Sequence, residues 1–367
     1  MTPQIYEYQP DHAAPPGDLI QECLDELEIS ARELARRCGR SGKLISEIIA
    51  GKAPVEPETA LQLEKVLEVS ASIWINMEAA YQLHVARQFE SKSLAASYEW
   101  AKMFPIKELA DRKYLQRVSD KSKQVQELLI FFGVGGVKAC EEKIEDLLQV
   151  DFRTSEIFDA DRWALASWLR IGEKRAIAID AKAYDRDVFL RTLVGLRKLT
   201  RARLDDALPK IEARCAEAGV AFVFEKALSK TRASGASRWL SPHKALILQS
   251  GRYRTGDHFW FTFFHECAHL LLHSRKEIFI ERGHGPGSAT PKQEAEANLW
   301  ASEFLIPSAA MRKFQSSFEG AEGHVKKFAD ELDVAPGIVV GQLQHDGVLG
   351  HHQLNHLKER LTWDAKS

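Results

Sequence analysis

Along the first quarter of the chain, apolar positions cluster at helical spacing and are separated by tight breaks. Ser30 stands before Ala31-Arg32-Glu33-Leu34, a hydroxyl followed three residues later by an acid, which predicts a capped helix start; Leu34 and Cys38 then lead to a stop at Gly39. A second short helix fits Ser41 to Ala50, with Leu44, Ile45, Ile48 and Ile49 inward and Gly51 as its end. Pro57 suits the first turn of a third, in which Leu61, Leu63, Val66 and Leu67 supply apolar contacts. Ser70 is the expected cap of a fourth, carrying Ile73, Trp74, Met77 and Tyr81.

From about 91 to 205 the pattern stays helical, with breaks at Pro105 and at Phe132-Gly133-Val134-Gly135-Gly136 and a helix end expected at Gly172. Past 206 it changes. Gly219-Val220-Ala221-Phe222-Val223-Phe224 and Lys244-Ala245-Leu246-Ile247-Leu248-Gln249 read as strands, with Gly235 to Trp239 as a third. A strongly apolar helix follows from about His258 to His273. Next come a loop with Gly283, Gly285, Pro286, Gly287 and Pro291, then a helix from about Lys292 to Leu305 that ends before Pro307. The expected fold is α+β and predominantly helical. Its parts are an N-terminal tail (1–16), a helical domain (17–90), a helical middle region (91–205), a domain with a small sheet (206–310) and a helical C-terminal region (311–367).

Composition narrows the function classes. A chain of 367 residues, 45% hydrophobic and 28% charged, folds as two or three domains. No apolar stretch reaches the roughly 20 residues of a membrane span, and the first residues lack a signal-peptide pattern, so the expected location is cytoplasmic, with no membrane partner. Five scattered cysteines without a Cys-x-x-Cys pair suggest reduced thiols, not a disulfide framework or a thiolate metal cage. The net charge of -2 gives no global attraction to nucleic acid, so any DNA contact must come from a local patch.

The sharpest chemistry lies in His265-Glu266-Cys267-Ala268-His269. On an α-helix two residues four apart stand about 40° from each other, one turn along the same face. His265 and His269 can therefore share one metal ion, while Glu266 beside them is placed to act as a base towards water on that metal. The flanks Phe259 to Phe264 and Leu270 to Leu272 make the helix nearly all apolar, so polar groups inside it need partners. A third ligand is required. His273 would lie about 12 Å from His265 along a straight helix, too far to share the ion. Leu272 and Arg275 exclude the metzincin pattern. In the later helix, Glu294, Glu296 and Glu303 are the candidates. Glu294 shares a face with Asn298, which can orient a ligand, whereas Glu296 and Glu303 point roughly opposite and read as solvated.

From about Leu208 to Leu349 the chain resembles the ImmA/IrrE family of metallo-endopeptidases. The likeness lies in Phe261-Thr262-Phe263-Phe264-His265-Glu266-Cys267-Ala268-His269-Leu270 and in Glu294-Ala295-Glu296-Ala297-Asn298 followed by Phe304-Leu305-Ile306-Pro307. The resemblance implies a minimal zincin of the gluzincin type, one Zn2+ per chain held by His265, His269 and Glu294, Glu266 as catalytic base, and a repressor-like protein as substrate. A peptide is expected to lie along an edge strand near Ala236 to Trp239. His243, Tyr253 and His258 are weak candidates for stabilising an oxyanion.

Residues 17 to about 84 resemble the Cro/CI-type helix-turn-helix domains of HigA-like antitoxins, through Glu33-Leu34-Ala35, Gly39-Arg40-Ser41, Ile45-Ser46-Glu47-Ile48-Ile49-Ala50-Gly51-Lys52, Pro57-Glu58-Thr59-Ala60-Leu61 and Trp74-Ile75-Asn76-Met77-Glu78. In such a unit the second short helix enters the major groove. The resemblance implies that Arg40, Ser41, Lys43 and Ser46 take the groove-facing role, and Arg36, Arg37, Lys52 and Thr59 the backbone role, on a double-stranded operator bound by a homodimer. The combined expectation is a DNA-binding regulator fused to a zinc metallo-endopeptidase. The alternative is a transcriptional repressor or antitoxin of a toxin-antitoxin system whose zinc site is structural or sensory.

Overall fold

The computed structural model describes residues 13–148, 159–282 and 289–361. Most of the expected N-terminal tail, and Gly283, Gly285, Pro286 and Gly287 of the expected loop, lie outside the described residues. Contacts divide the chain into two units: residues up to Tyr98 with Asp120–Val125, and Glu99–Ser119 with Gln126 onward.

The first unit holds α1 (Pro16–Glu26), α2 (Ala31–Cys38), α3 (Gly42–Ile49), α4 (Pro57–Leu67) and α5 (Ala71–Ala96) around Ile20, Leu24, Leu34, Ile45, Ile48, Leu63 and Trp74. Ser30 Oγ accepts the Glu33 N–H, and Gly39 turns left-handed at φ 66°, so α2 starts and stops where the pattern predicts. The Glu33 carboxylate takes Arg36 and Arg37 instead of closing a capping box. Ser70 sits at the start of α5 without a side-chain cap; the Glu64 carboxylate accepts the Ala71 N–H at 2.6 Å in its place. Leu61 and Ile73, expected inward, are about half exposed, because Leu63, Leu67 and Trp74 already fill that side of the core.

The chain continues through α6 (Tyr98–Ala101), α7 (Ile106–Asp111), α8 (Lys121–Phe132), α9 (Val137–Leu148), α10 (Asp159–Ala178), α11 (Arg186–Arg197) and α12 (Leu204–Glu217). Then come β1 (Val220–Phe224), β2 (Ala233–Ser241), β3 (Lys244–Gln249), α13 (Gly256–Leu272), β4 (Ile278–Arg282), α14 (Pro291–Leu305), α15 (Ser308–Gln315), α16 (Glu322–Glu331) and α17 (Pro336–His345). The expected α+β, predominantly helical class is what is found. Among the described residues the strands make one mixed sheet in the order β1-β3-β2-β4, with β1 parallel to β3 and β2 antiparallel to both its neighbours.

Side chains alternate across β2, and this sorts the two faces of the sheet. Gly235 and Ser237 face α13, whereas Arg238 pairs with Glu173 of α10. Gly172 does not end a helix, as expected from sequence, but lies inside α10. A Cβ there would meet Leu248 Cδ2 of β3 at 2.5 Å, so the residue allows close helix-to-sheet packing. The middle helices are tied to the sheet at Glu225, just past β1. Its carboxylate accepts from Arg112 at 2.9 Å and Arg175 at 2.7 Å, and its carbonyl accepts from Trp168 Nε1.

Candidate metal centre and helix-turn-helix surface

Helix α13 carries the His265-Glu266 run through the main core. Phe259, Trp260, Phe263, Phe264, Cys267 and Leu270 are buried on it, each large side chain contributing about 1.5–3 kcal/mol of hydrophobic stabilisation. That packing fixes the helix and with it three polar groups, His265, Glu266 and His269, which are at most 1% exposed. Such burial is costly unless the groups find partners.

The partners come from α14, which packs against α13. Thr290 and Gln293 form a capping box at its start, with Pro291 in the first turn, so the register of Glu294 is set by local bonds. Its carboxylate lies 3.3 Å from His265 Nε2 and 3.7 Å from His269 Nε2; the two Nε2 atoms are 3.0 Å apart. His265, His269 and Glu294 each direct one donor atom into a group whose atoms lie within 4.8 Å of one another. Asn298 Oδ1, one turn after Glu294, is 2.9 Å from His265 Nδ1.

Glu266 sits between this group and the sheet. A Cβ on Gly235 of β2 would fall 2.5 Å from Glu266 Oε1, so only glycine leaves room for the carboxylate there. Among the described residues, neither Glu266 oxygen has a partner at hydrogen-bond geometry. Burial pushes its acid up to about 8; the positive His265 and the nearby Ser237 hydroxyl oppose the rise, while Glu281 and Glu294 add to it. Burial works against a charged His265, yet the bond to Glu294 and the charges of Glu281 and Glu266 raise it to about 9. His269 is driven down to about 2 by burial and by the neighbouring His265 and His273, and so stays neutral.

Several groups read otherwise in the sequence. His273, dismissed as a ligand, places Nδ1 3.0 Å from His269 Nδ1, and its Nε2 meets Glu296 Oε2 at 3.1 Å. Glu296 is therefore bonded to His273, not merely solvated. The four-residue step from His269 was the available signal. Phe279 of β4 stacks on the His269 ring at 4.2 Å and 13°; the run Ile278-Phe279-Ile280 marked this strand, but it was not expected. Glu303 bonds the N–H of Ser308. The stretch Ala236 to Trp239 is not an edge, because β2 is paired on both sides; β4 is the strand at that side of the sheet. His243 lies in the β2–β3 turn, and Tyr253 and His258 stack on each other.

In the first unit, Lys43 and Ser46 are exposed on α3, and Arg36, Arg37 and Lys52 are exposed beside it. Arg40 is mostly covered and tied to Gln62 and Glu58 of α4. Ser41 caps α3 through the Leu44 N–H. Thr59, expected to meet the DNA backbone, is 2% exposed: its place in the first turn of α4 turns it into the core, so it offers a phosphate no hydroxyl.

Two family descriptions match this chain: helix-turn-helix over residues 20–74 and IrrE N-terminal-like domain over residues 217–339. The chain is similar to the uncharacterized HTH-type transcriptional regulator YddM of Escherichia coli, with 41% identity over 73 residues that span 78% of that protein and 20% of this chain. It is also similar to virulence-associated protein I of Dichelobacter nodosus, at 34% over 74 residues, 68% of that protein and 20% of this chain. Among solved structures, a putative antidote protein of a plasmid maintenance system from Nostoc punctiforme matches at 28% identity and TM-score 0.22, covering 22% of this chain and 90% of that one. An addiction module antidote protein of a HigA family from Coxiella burnetii matches at 26% and TM-score 0.22, covering 23% and 91%. The chain belongs to the helix-turn-helix transcriptional regulators, and joins to that domain an IrrE N-terminal-like domain of the ImmA/IrrE peptidase type.

Proposed function

We propose that this regulator is a zinc-dependent endopeptidase acting on another regulatory protein, a repressor or a component of a toxin-antitoxin pair. The observation that carries the reading is the convergence of His265, His269 and Glu294 beside a buried, unpartnered Glu266 carboxylate. Two imidazoles and one carboxylate are a donor set suited to zinc, and three protein ligands leave a position for water, the arrangement of catalytic rather than structural sites. When bound, zinc supplies an acidified water and polarises a carbonyl.

The chain's own residues do the rest. Glu266, with its proton affinity raised by burial, takes a proton from the attacking water and passes it to the leaving amine. Asn298 holds the His265 ring so that Nε2 faces the donor group. Phe279 and Glu281, two residues apart on β4, share one face of that strand and stand beside the donors, which makes β4 the natural support for an extended peptide. In the first unit, Lys43 and Ser46 meet base edges, and Arg36, Arg37 and Lys52 meet phosphates of a double-stranded operator, bound as a homodimer.

Elemental analysis of the purified chain tests the metal site. About one zinc per chain is expected, lost in Glu294→Ala and kept in Glu303→Ala. Equal zinc in the two variants removes Glu294 from the ligand set.

A further inference from the structure

His269 is touched from outside the donor group by a chain of two residues that no step above uses. Glu296 Oε2 lies 3.1 Å from His273 Nε2, and His273 Nδ1 lies 3.0 Å from His269 Nδ1. The His273 side chain is 5% exposed and that of Glu296 46%, so the imidazole pair is shielded from water while the carboxylate end of the chain faces it. Donor and acceptor roles along the chain can be followed from the carboxylate end. The Glu296 oxygen accepts from His273 Nε2, so an imidazole with one N–H carries it there and leaves Nδ1 to accept; His269 then donates from its own Nδ1. The other nitrogen of His269, Nε2, is left with its lone pair towards His265 Nε2 and Glu294.

We infer that Glu296 and His273 form a positioning relay that holds His269 as the Nδ1–H tautomer and aims its Nε2 lone pair into the donor group. The relay rests on the metal-site reading above and extends it beyond the three donors. Asn298 does the same for His265 through a carbonyl oxygen on Nδ1, so α14 sends orienting groups to both imidazoles, one directly and one through His273. The Phe279 ring, nearly parallel to that of His269, limits rotation about the remaining torsion. With tautomer and ring plane both set before the ion arrives, neither ordering cost falls on metal binding.

Zinc affinity, measured on the full chain by competition with a chromophoric chelator, tests the relay. His273→Leu and Glu296→Ala should each weaken zinc binding by about 10–100-fold, the usual effect of removing an outer-shell partner. His273→Asn, which returns a carbonyl oxygen near the position of Nδ1, should bind close to the parent. Thermal melting of the zinc-free chains identifies any variant that has lost its fold, and His273→Asn then carries the comparison with Glu296→Ala. Parental affinity in Glu296→Ala overturns the relay, as does equal loss in His273→Asn and His273→Leu when both are folded. A parent chain that binds no zinc overturns the metal site itself, and the relay with it.

Discussion

A single methyl group at Gly235 would press on Glu266 Oε1 at 2.5 Å and on the Thr262 methyl at 2.8 Å. Gly235→Ala should therefore destabilise the second unit by about 1–3 kcal/mol, the range for overpacked cores, and displace the carboxylate. Urea denaturation checks it; an unchanged midpoint means that the strand yields. The same carboxylate makes stability depend on pH in the zinc-free chain. Glu266 rises from an ordinary 4.5 to about 8 on folding, so its share of stability is complete below 4.5 and is lost as pH climbs to 8. His265, raised from 6.5 to about 9, acts in the same direction between those values. His269, lowered from 6.5 to about 2, penalises the fold only below 6.5. Between pH 6.5 and 8 the first two act together, so the zinc-free chain should lose stability across that window, and Glu266→Gln should lose less. Parallel pH profiles for parent and variant count against the raised acid. At this scale the sequence was legible where partners share a helix: a period of 3.6 puts His265 and His269 on one face. Gly235 was opaque because its reason for being glycine lies on a distant helix.

Strands and helices are legible along the chain where their signals are local, and not where they depend on another element. β1 and β3 were visible as short apolar runs, and α2 and α3 by their caps and glycine stops, all signals within one element. Strand order is a matter of pairing between elements, which is why the pattern along the chain presents β2 as an edge and does not predict β4. Gly172 likewise read as a helix stop because its partner, Leu248, sits on another element. Thr59 shows the same limit: the first turn of α4 is legible, but not which way it faces. At α3 the exposed Lys43 carries the clearest expectation. Lys43→Ala should weaken operator binding by about 1–3 kcal/mol if it reads a base, or lower the salt dependence by about one ion if it meets a phosphate. Thr59→Ser should leave specific binding unaltered in any folded protein. Fluorescence anisotropy on operator DNA at several salt concentrations separates these outcomes, and full-strength, equally salt-dependent binding by Lys43→Ala removes it from the interface.

The whole molecule joins two units with separate cores, one built on Ile45, Leu63 and Trp74, the other on Phe263, Phe264 and the sheet. Changes in the buried heart of one should leave the other's chemistry intact, so Glu266→Gln should bind operator DNA as the parent does. The second unit begins at Glu99, whereas the change in apolar period past 206 marks only where the strands begin. The attachment of the middle helices to the sheet through Arg112, Trp168 and Arg175 was not legible, since each reaches a residue far along the chain. The central claim is that Glu266 serves peptide hydrolysis beside His265, His269 and Glu294. Its most direct test is the cleavage rate of a repressor or toxin-antitoxin protein offered as substrate, measured for parent and Glu266→Gln at equal zinc loading. The account predicts cleavage by the parent and nearly none by the variant, whereas cleavage by Glu266→Gln at the parental rate would contradict it.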